Sequence, residues 1–463
     1  MLMKYLLPIF LILFSGCSFA PKYVRPPLPT AETYPGQECA QGCTNIRQLR
    51  WEDYFTDPAL RQLISLALAN NRDMRIAIQR MIEARGVYGL QWGEQFPVVE
   101  ADLASIRGRV PKDFTPKKRS FIFSAYVAAL SVVSWEIDFW GRLRSLADVE
   151  LENYLASAEA RCATFISLIS QVANTYLVES ELNELICATQ KTIAVRQDSY
   201  RIMQLRFEEG ASSKYEFLEA ESLLQQAIAE LAVLQRKRDL NWNAMTLLVG
   251  VPLCPNTQLL SQIEPYFLKE ICPGLPSELL CNRPDVLAAE HKLLAANANI
   301  GAVRASFFPK ISLTGSFGTA SRELKNLFHP GQSFWAFIPD ASLPIFALGK
   351  TKAAVDLSKA RLKLAVAEYE QTIQKAFREV ADALAEQEWL EKQMFAQKEL
   401  LAAQSERARL AWIRFQYSTS PFFEVLETEQ DRFSAEQAYV QTWRSWLASR
   451  INLYSALGGG YCR

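Results

Sequence analysis

Apolar positions recur at helical spacing along most of this chain, and in two places the period shortens to two. Asp57-Pro58 offers an N-cap followed by proline at the first helical position. Beyond it Leu60, Leu63, Ile64, Leu66 and Ala67 keep helical spacing, which predicts one helix running to about Leu90. From Phe96 the pattern changes: Val99, Ala101, Leu103 and Ser105 alternate with Glu100, Asp102 and Ala104. A basic, turn-like stretch from Pro111 to Ser120 separates this run from a second apolar run, Phe121 to Ile137. In the other half of the chain Ile311, Leu313 and Phe317 fall on one side, with Ser312, Thr314 and Ser316 on the other. Polar residues from about Ser321 to Gln332 then lead to a partner run, Ser333 to Phe346. The pattern predicts two β-hairpins, 96–137 and 308–346.

Each hairpin is followed by a stretch rich in Ala, Leu, Glu, Gln, Lys and Arg, 142–207 and 350–415, which is helical composition. Some 65 residues of helix would extend about 98 Å. Each stretch ends at a tight break, Gly210-Ala-Ser-Ser213 or Ser418-Thr-Ser-Pro421, and a returning helix follows to Gly250 or Gly458. The expected helical hairpins are therefore 142–249 and 350–458. Helices of this length need partners along their course.

The breaks sit in a duplicated motif. RFEEGASSKYEFLEAES at 206–222 and RFQYSTSPFFEVLETEQ at 414–430 agree at seven of seventeen positions. The same offset pairs Gly141 with Gly349 and Gly250 with Gly458, and Phe96-Pro97 answers Phe308-Pro309 with a small slip. The chain is two copies of one unit, 51–250 and 283–458, with a linker at 251–282 and a tail at 459–463. Gly141 and Gly349 suit backbone bends between strand and helix. Gly210 suits a left-handed turn position, and Ser418 in its place predicts a differently shaped second turn.

The N-terminus adds a compartment. Met1 to Lys4 is a short positive start, Tyr5 to Phe14 is apolar and interrupted by Pro8, and Phe14-Ser15-Gly16-Cys17 follows. This fits a signal peptide over 1–16, with small residues before a cysteine that resemble a lipoprotein cleavage box, and Cys17 as the lipidated residue. Residues 17–50, with five prolines between Pro21 and Pro35, form an extended tether. An exported chain meets oxidising conditions, so cysteine pairs are open to Cys39, Cys43, Cys254, Cys272 and Cys281, while Cys162 and Cys187 read as buried thiols in a helix. No close Cys/His spacing suggests zinc, and the sequence calls for no cofactor. With 50 basic and 50 acidic residues the whole chain has no field for steering nucleic acid, and none is expected as a partner.

Four strands cannot close a barrel alone, and an open sheet with one apolar face would be an aggregation hazard. Trp135, Phe139 and Trp140 at one end of the first hairpin, with Phe121 and Phe123 at the other, have the character of interfacial girdles. Three chains would supply twelve strands.

These motifs together resemble the outer membrane factor family, the TolC- and OprM-like channels of tripartite efflux and type I secretion, and especially the lipoprotein branch of the NodT type attached to RND pumps. The resemblance rests on Ala20-Pro-Lys-Tyr-Val-Arg-Pro26, Trp51-Glu-Asp-Tyr-Phe-Thr-Asp-Pro58, Asn71-Arg-Asp73, Asn282-Arg-Pro-Asp285 and Ala305-Ser-Phe-Phe-Pro-Lys-Ile-Ser312, and covers the mature chain. It implies a mainly α fold with a membrane β-barrel: a homotrimer whose twelve strands sit in outer membrane lipid and whose helical hairpins form a periplasmic tunnel. It also implies passive conduction, with a periplasmic adaptor (membrane fusion) protein and an inner-membrane RND-type pump as partners.

On that resemblance the helix breaks are the periplasmic tip. The family's paired acidic constriction falls at Glu424 and Glu427, making these the expected gate. Glu216 and Glu219 form a secondary acidic pair, and for all four glutamates the competing role is a solvated surface charge supporting the first helical turn. Arg206, Phe207 and Gly210, with Arg414, Phe415 and Ser418, are expected to meet the adaptor or to pack the helix ends. The differences between the copies suggest that one turn gates while the other docks. Other readings are a type I secretion conduit and a lipid-anchored periplasmic scaffold without a pore. Ser, Cys and His show no catalytic arrangement, so no enzyme is expected. The exported substrate is not legible.

Overall fold

The computed structural model describes residues 19–31, 33–34, 49–114, 116, 118–253, 268, 271, 279–346 and 348–460. Cys17, the expected signal peptide, most of the tether beyond Tyr34, most of the linker, the end of the tail, and Cys39, Cys43, Cys254 and Cys272 lie outside the described residues.

The helices are α1 (Trp51–Tyr54), α2 (Pro58–Asn70), α3 (Arg72–Gly93), α4 (Arg142–Glu208), α5 (Lys214–Val249), α6 (Leu279–Asn282), α7 (Pro284–Ala305), α8 (Lys350–Gln416) and α9 (Phe422–Ala456). The strands are β1 (Val99–Val110), β2 (Phe121–Glu136), β3 (Lys310–Ser321) and β4 (Ser333–Ser342). The two long helices are 67 residues each. Gly141 and Gly349 precede them with φ of 69° and 78°, the left-handed bends that glycine permits.

The single helix expected from Pro58 to Leu90 is instead two, divided at Asn71. Periodicity could not reveal this, because a side chain makes the break. Asn71 Oδ1 accepts from Met74 N at 3.0 Å and caps α3, while its Nδ2 donates to Leu248 O at 2.9 Å. Gly250 closes on the same place: a Cβ there would lie 2.6 Å from Asn70 O. The second copy repeats the device, with Gly458 against Asn282 O at the same 2.6 Å. There buried Arg283 donates to Ala456 O at 2.9 Å and pairs with Asp285 and Glu379, each at 2.7 Å.

Two compact units emerge, and neither is one repeat. The first holds residues 1–27, 80–157 and 288–369, and therefore the sheet. In it residues 19–25 lie along α7. Phe19 stacks on Phe308 at 4.8 Å, Arg304 donates to Phe19 O, Asn297 to Pro21 O, and Arg25 pairs with Glu290. Gly301 makes room for this strap, since a Cβ would meet Ala20 N at 2.8 Å. The second unit holds 28–79, 158–287 and 370–463. Its first helix is covered by its last: Tyr54 stacks on Tyr454 at 4.6 Å and donates to Arg450 O at 2.9 Å.

Cys162 is half-buried and Cys187 is exposed, and neither is in a disulfide. Their expected burial fails because helical composition does not say which face of a long helix its own chain covers.

Candidate functional site

The duplicated motif brings both helix turns together within the second unit. At the first turn α4 ends in a left-handed residue, Gly210, with φ of 69°. Ala211 N donates to Arg206 O at 2.7 Å and Gly210 N to Phe207 O at 3.0 Å. These two bonds are the Schellman closure, which satisfies carbonyls orphaned at a helix end. Ser213 then caps α5: its Oγ accepts from Glu216 N at 3.2 Å, and Glu216 Oε2 accepts from Ser213 N at 3.0 Å. Glu216 is thus committed to the cap, and Glu219 stands half-buried one turn on. Phe207 stacks on Phe217 with centroids 5.5 Å apart.

The second turn has the same backbone. Ser418 takes φ of 57°, Thr419 N donates to Arg414 O at 2.9 Å, and Ser418 N to Phe415 O at 2.9 Å. The different geometry expected from Ser418 is not found. The Schellman bonds outweigh the ~1–2 kcal/mol that a left-handed non-glycine residue costs. What differs is the side-chain support. Pro421 stands at the N-cap and gives α9 no side-chain cap. Phe422, the residue after it, is buried against Phe415 at 4.8 Å and Trp412 at 6.5 Å. Glu424, freed from capping, accepts from Arg414 Nη1 at 2.5 Å. Glu427 is exposed.

Met203, Ala220, Ala411, Phe422, Val425 and Leu426 form one core beneath both turns, and the Arg206 guanidinium lies 5.6 Å from the Phe415 ring centroid. The sequence reading missed Arg196. It is buried, donates to Leu223 O at 2.5 Å and to Gln430 Oε1, and lies over the Phe433 ring at 5.7 Å. Burial pulls its guanidinium below the usual arginine range, with Glu429 opposing. An arginine in a polar helix reads as solvated, and Gln404 occupies its place in the second copy, so no signal marks it. Further along the same helices, burial pushes the Glu181 carboxyl upward against the pull of Arg444, 2.9 Å away. Among the described residues no cluster of His, Cys, Asp and Glu is placed to hold a metal, and no helix is long and apolar enough to cross a membrane.

In the first unit the strands form one antiparallel sheet in the order β1-β2-β3-β4. Register fixes its faces, because directly opposed residues share a side. One face carries the rows Val99–Val132, Ala101–Leu130–Phe317–Trp335, Leu103–Ala128 and Gly315–Phe337, and is an apolar belt. The other carries Glu100, Asp102, Ser131, Ser312, Thr314, Ser316 and Asp340, with the Ser131 hydroxyl donating to Asp102. Phe121 and Phe123 oppose Val110 and Gly108 and so belong to the polar face, not to a girdle on the apolar one. Parity decides this: Ile122 takes the apolar-side position between them. At the other end Trp135 donates to Gln95 O at 3.1 Å, while Trp140 stacks on Phe308 at 4.7 Å and donates to Pro309 O at 2.8 Å.

Comparison with known proteins gives these elements a family. A family model described as outer membrane efflux protein matches residues 63–251 and 275–459, one stretch for each repeat. The probable efflux pump outer membrane protein TtgC of Pseudomonas putida is 39% identical over 451 residues, covering 96% of this chain and 93% of the relative. Among solved structures, a membrane protein from Pseudomonas aeruginosa superposes with a TM-score of 0.88 at 37% identity, covering 96% of this chain and 98% of the other. The open state of the Neisseria gonorrhoeae MtrE outer membrane channel gives 0.87 at 34% identity, covering 96% and 98%. Duplicated and mainly helical, with a four-stranded antiparallel sheet among the described residues, this chain belongs to the outer membrane efflux protein family.

Proposed function

We propose that three copies of this chain close a twelve-stranded barrel in the outer membrane and conduct solutes passively through a periplasmic helical tunnel. The observation that carries this reading is the sheet. It has an apolar belt on one face from Val99 to Leu103 and across to Phe337, an opposite face that carries Glu100, Asp102, Asp340 and several serines at the same level, and two edges, β1 and β4, unpaired among the described residues. An apolar outside and a polar inside are what a water-filled barrel requires. Four strands per copy keep a β4-to-β1 junction between copies antiparallel, so closure needs no change of direction. The strap of residues 19–25, running along α7 to Phe308 at the foot of β3, supports a lipid anchor at Cys17.

At the other extreme of the function, the paired turns are the end offered to a periplasmic adaptor. Arg206, Phe207 and Gly210, with Arg414, Phe415 and Ser418, shape that docking surface, and an inner-membrane RND pump delivers the solute. Glu424 and Glu427 form the gate, six carboxylates when three copies meet, with Arg414 tempering each Glu424. Glu216 and Glu219 have the supporting role, Glu216 through its cap. The second turn gates and the first mainly docks.

Detergent-extracted protein is expected to have the mass of three chains and to conduct in planar bilayers. Water-soluble monomers without conductance would sink the channel reading. Replacing Glu424 and Glu427 together by Ala should raise single-channel conductance and weaken cation block. Unchanged conductance and block would remove the gate assignment while leaving the channel intact.

A further inference from the structure

The turn between β1 and β2 is strongly basic, and channel function does not call for it. From Arg107 to Ser120 the chain has six basic residues against one acidic, Asp113. The turn between β3 and β4, from Ser321 to Gln332, has only Arg322 and Lys325 against Glu323, and Lys325 pairs with Glu323 at 3.1 Å. Among the described residues Arg107, Arg109 and Lys118 are exposed and join no ion pair; Arg109 donates to the Ser120 hydroxyl at 3.1 Å.

Register gives this charge a direction. Arg107 opposes Ser124 and Arg109 opposes Ile122, continuing the row of Val99, Ala101, Leu103 and Ser105 on the apolar face. Both guanidinium groups therefore lie on the belt side of the sheet. The carboxylates of Glu100 and Asp102 are on the other face. From Val99 to Arg109 the strand advances about 33 Å, or about 25 Å along the normal of a barrel tilted near 40°, which is the height of a membrane belt. The foot of the hairpin is bonded to Gln95 just beyond α3, so the basic turn is the end away from the helices. Phe114 at the turn is 82% exposed, and Ile122, opposite Arg109 on the same face, is 63% exposed, so apolar side chains stand beside the charge.

We propose that this end of β1 is a binding surface for the phosphate groups of outer-leaflet glycolipid, with Arg107, Arg109 and Lys118 on the phosphates and the belt below on the acyl chains. The inference rests on the barrel reading above. Arginine presents paired donors to phosphate oxygens, and a row with apolar residues below and guanidinium groups above matches an amphiphile whose charge sits at its headgroup. A soluble anion would use the charge and leave the belt without a role.

The test uses the full chain in phosphatidylethanolamine vesicles containing diphosphoryl or monophosphoryl lipid A, with co-purified lipid counted by mass spectrometry and conductance recorded from the same preparations. Wild type should retain the diphosphoryl form preferentially. Arg107→Gln, Arg109→Gln and Lys118→Gln combined should lower its retention about a hundredfold with conductance kept. A conducting wild type with no preference between the lipids, or a conducting variant that retains diphosphoryl lipid A fully, overturns the site and leaves the channel standing. Displacement of the lipid by equimolar inorganic phosphate also overturns it. A wild type that neither inserts nor conducts overturns the channel reading and this surface with it.

Discussion

The two helix turns share a backbone and differ in what holds it. Both close with the same pair of Schellman bonds around a left-handed residue, at Gly210 and at Ser418. The first turn is held by local polar chemistry: a glycine in the strained position and a reciprocal Ser213–Glu216 cap. The second has a serine in the strained position and no side-chain cap, and it is held by burial of Phe422 under Phe415 and Trp412. Giving up the cap released a carboxylate: Glu216 is spent on the backbone, while its counterpart Glu424 reaches Arg414. The two copies share one geometry, the first supported by a reciprocal cap and the second by packing, and only in the second is the acid left available.

The largest effect should come from removing that packing. Phe422→Ala is expected to cost about 3–5 kcal/mol, whereas Lys214→Ala at the matching position of the first turn should cost within about 0.5 kcal/mol. Denaturant unfolding of the detergent-solubilised protein measures both. Equal costs would mean the second turn is not held by its core. Next in size, Ser213→Ala should destabilise by about 1 kcal/mol through loss of the cap, while Pro421→Ala at the matching position removes no cap bond and should cost less. Hydrogen exchange at the first amides of α5 and α9 reads the difference locally. The reciprocal pair is smaller: Ser418→Gly should stabilise by roughly 0.5–1 kcal/mol, and Gly210→Ser should destabilise by a similar amount. Because nothing lies within 4 Å of a Cβ at Gly210, strain alone is tested there. Smallest of all, Arg414→Gln should cost about 0.2–1 kcal/mol, since the Arg414–Glu424 pair is half-exposed. That loss should fade in high salt, and a loss independent of salt would show that the pair is not acting through charge.

Element type was legible wherever one period persisted. The alternation at Val99–Ser105 and Ile311–Phe317 marks β1 and β3, and helical composition marks the two 67-residue helices to within a residue or two. Illegible features depend on single contacts. A helix period runs unbroken through Asn71, yet its side chain caps a new helix and ties it to Leu248. Ser418 was misleading because glycine is favoured in left-handed turns without being required there. Phe121 and Phe123 look like a girdle by composition, and only their pairing with Val110 and Gly108 reveals the face. At the turns the named residues do come together, but whether each one packs, caps or pairs had to be read from geometry. Glu216 and Glu424 hold equivalent positions and make different bonds.

Tyr54 and Tyr454 stack at 4.6 Å across 400 residues of sequence, and each compact unit is drawn from three separated segments. That arrangement governs how the molecule comes into being. Loop closure on this scale is slow and leaves apolar surface waiting for a partner. Tyr54 and Phe55 have no finished core to enter until the helix bearing Tyr454 has been made. Residues whose core is completed only by a far later helix cannot mature piece by piece, and stay open until that helix arrives.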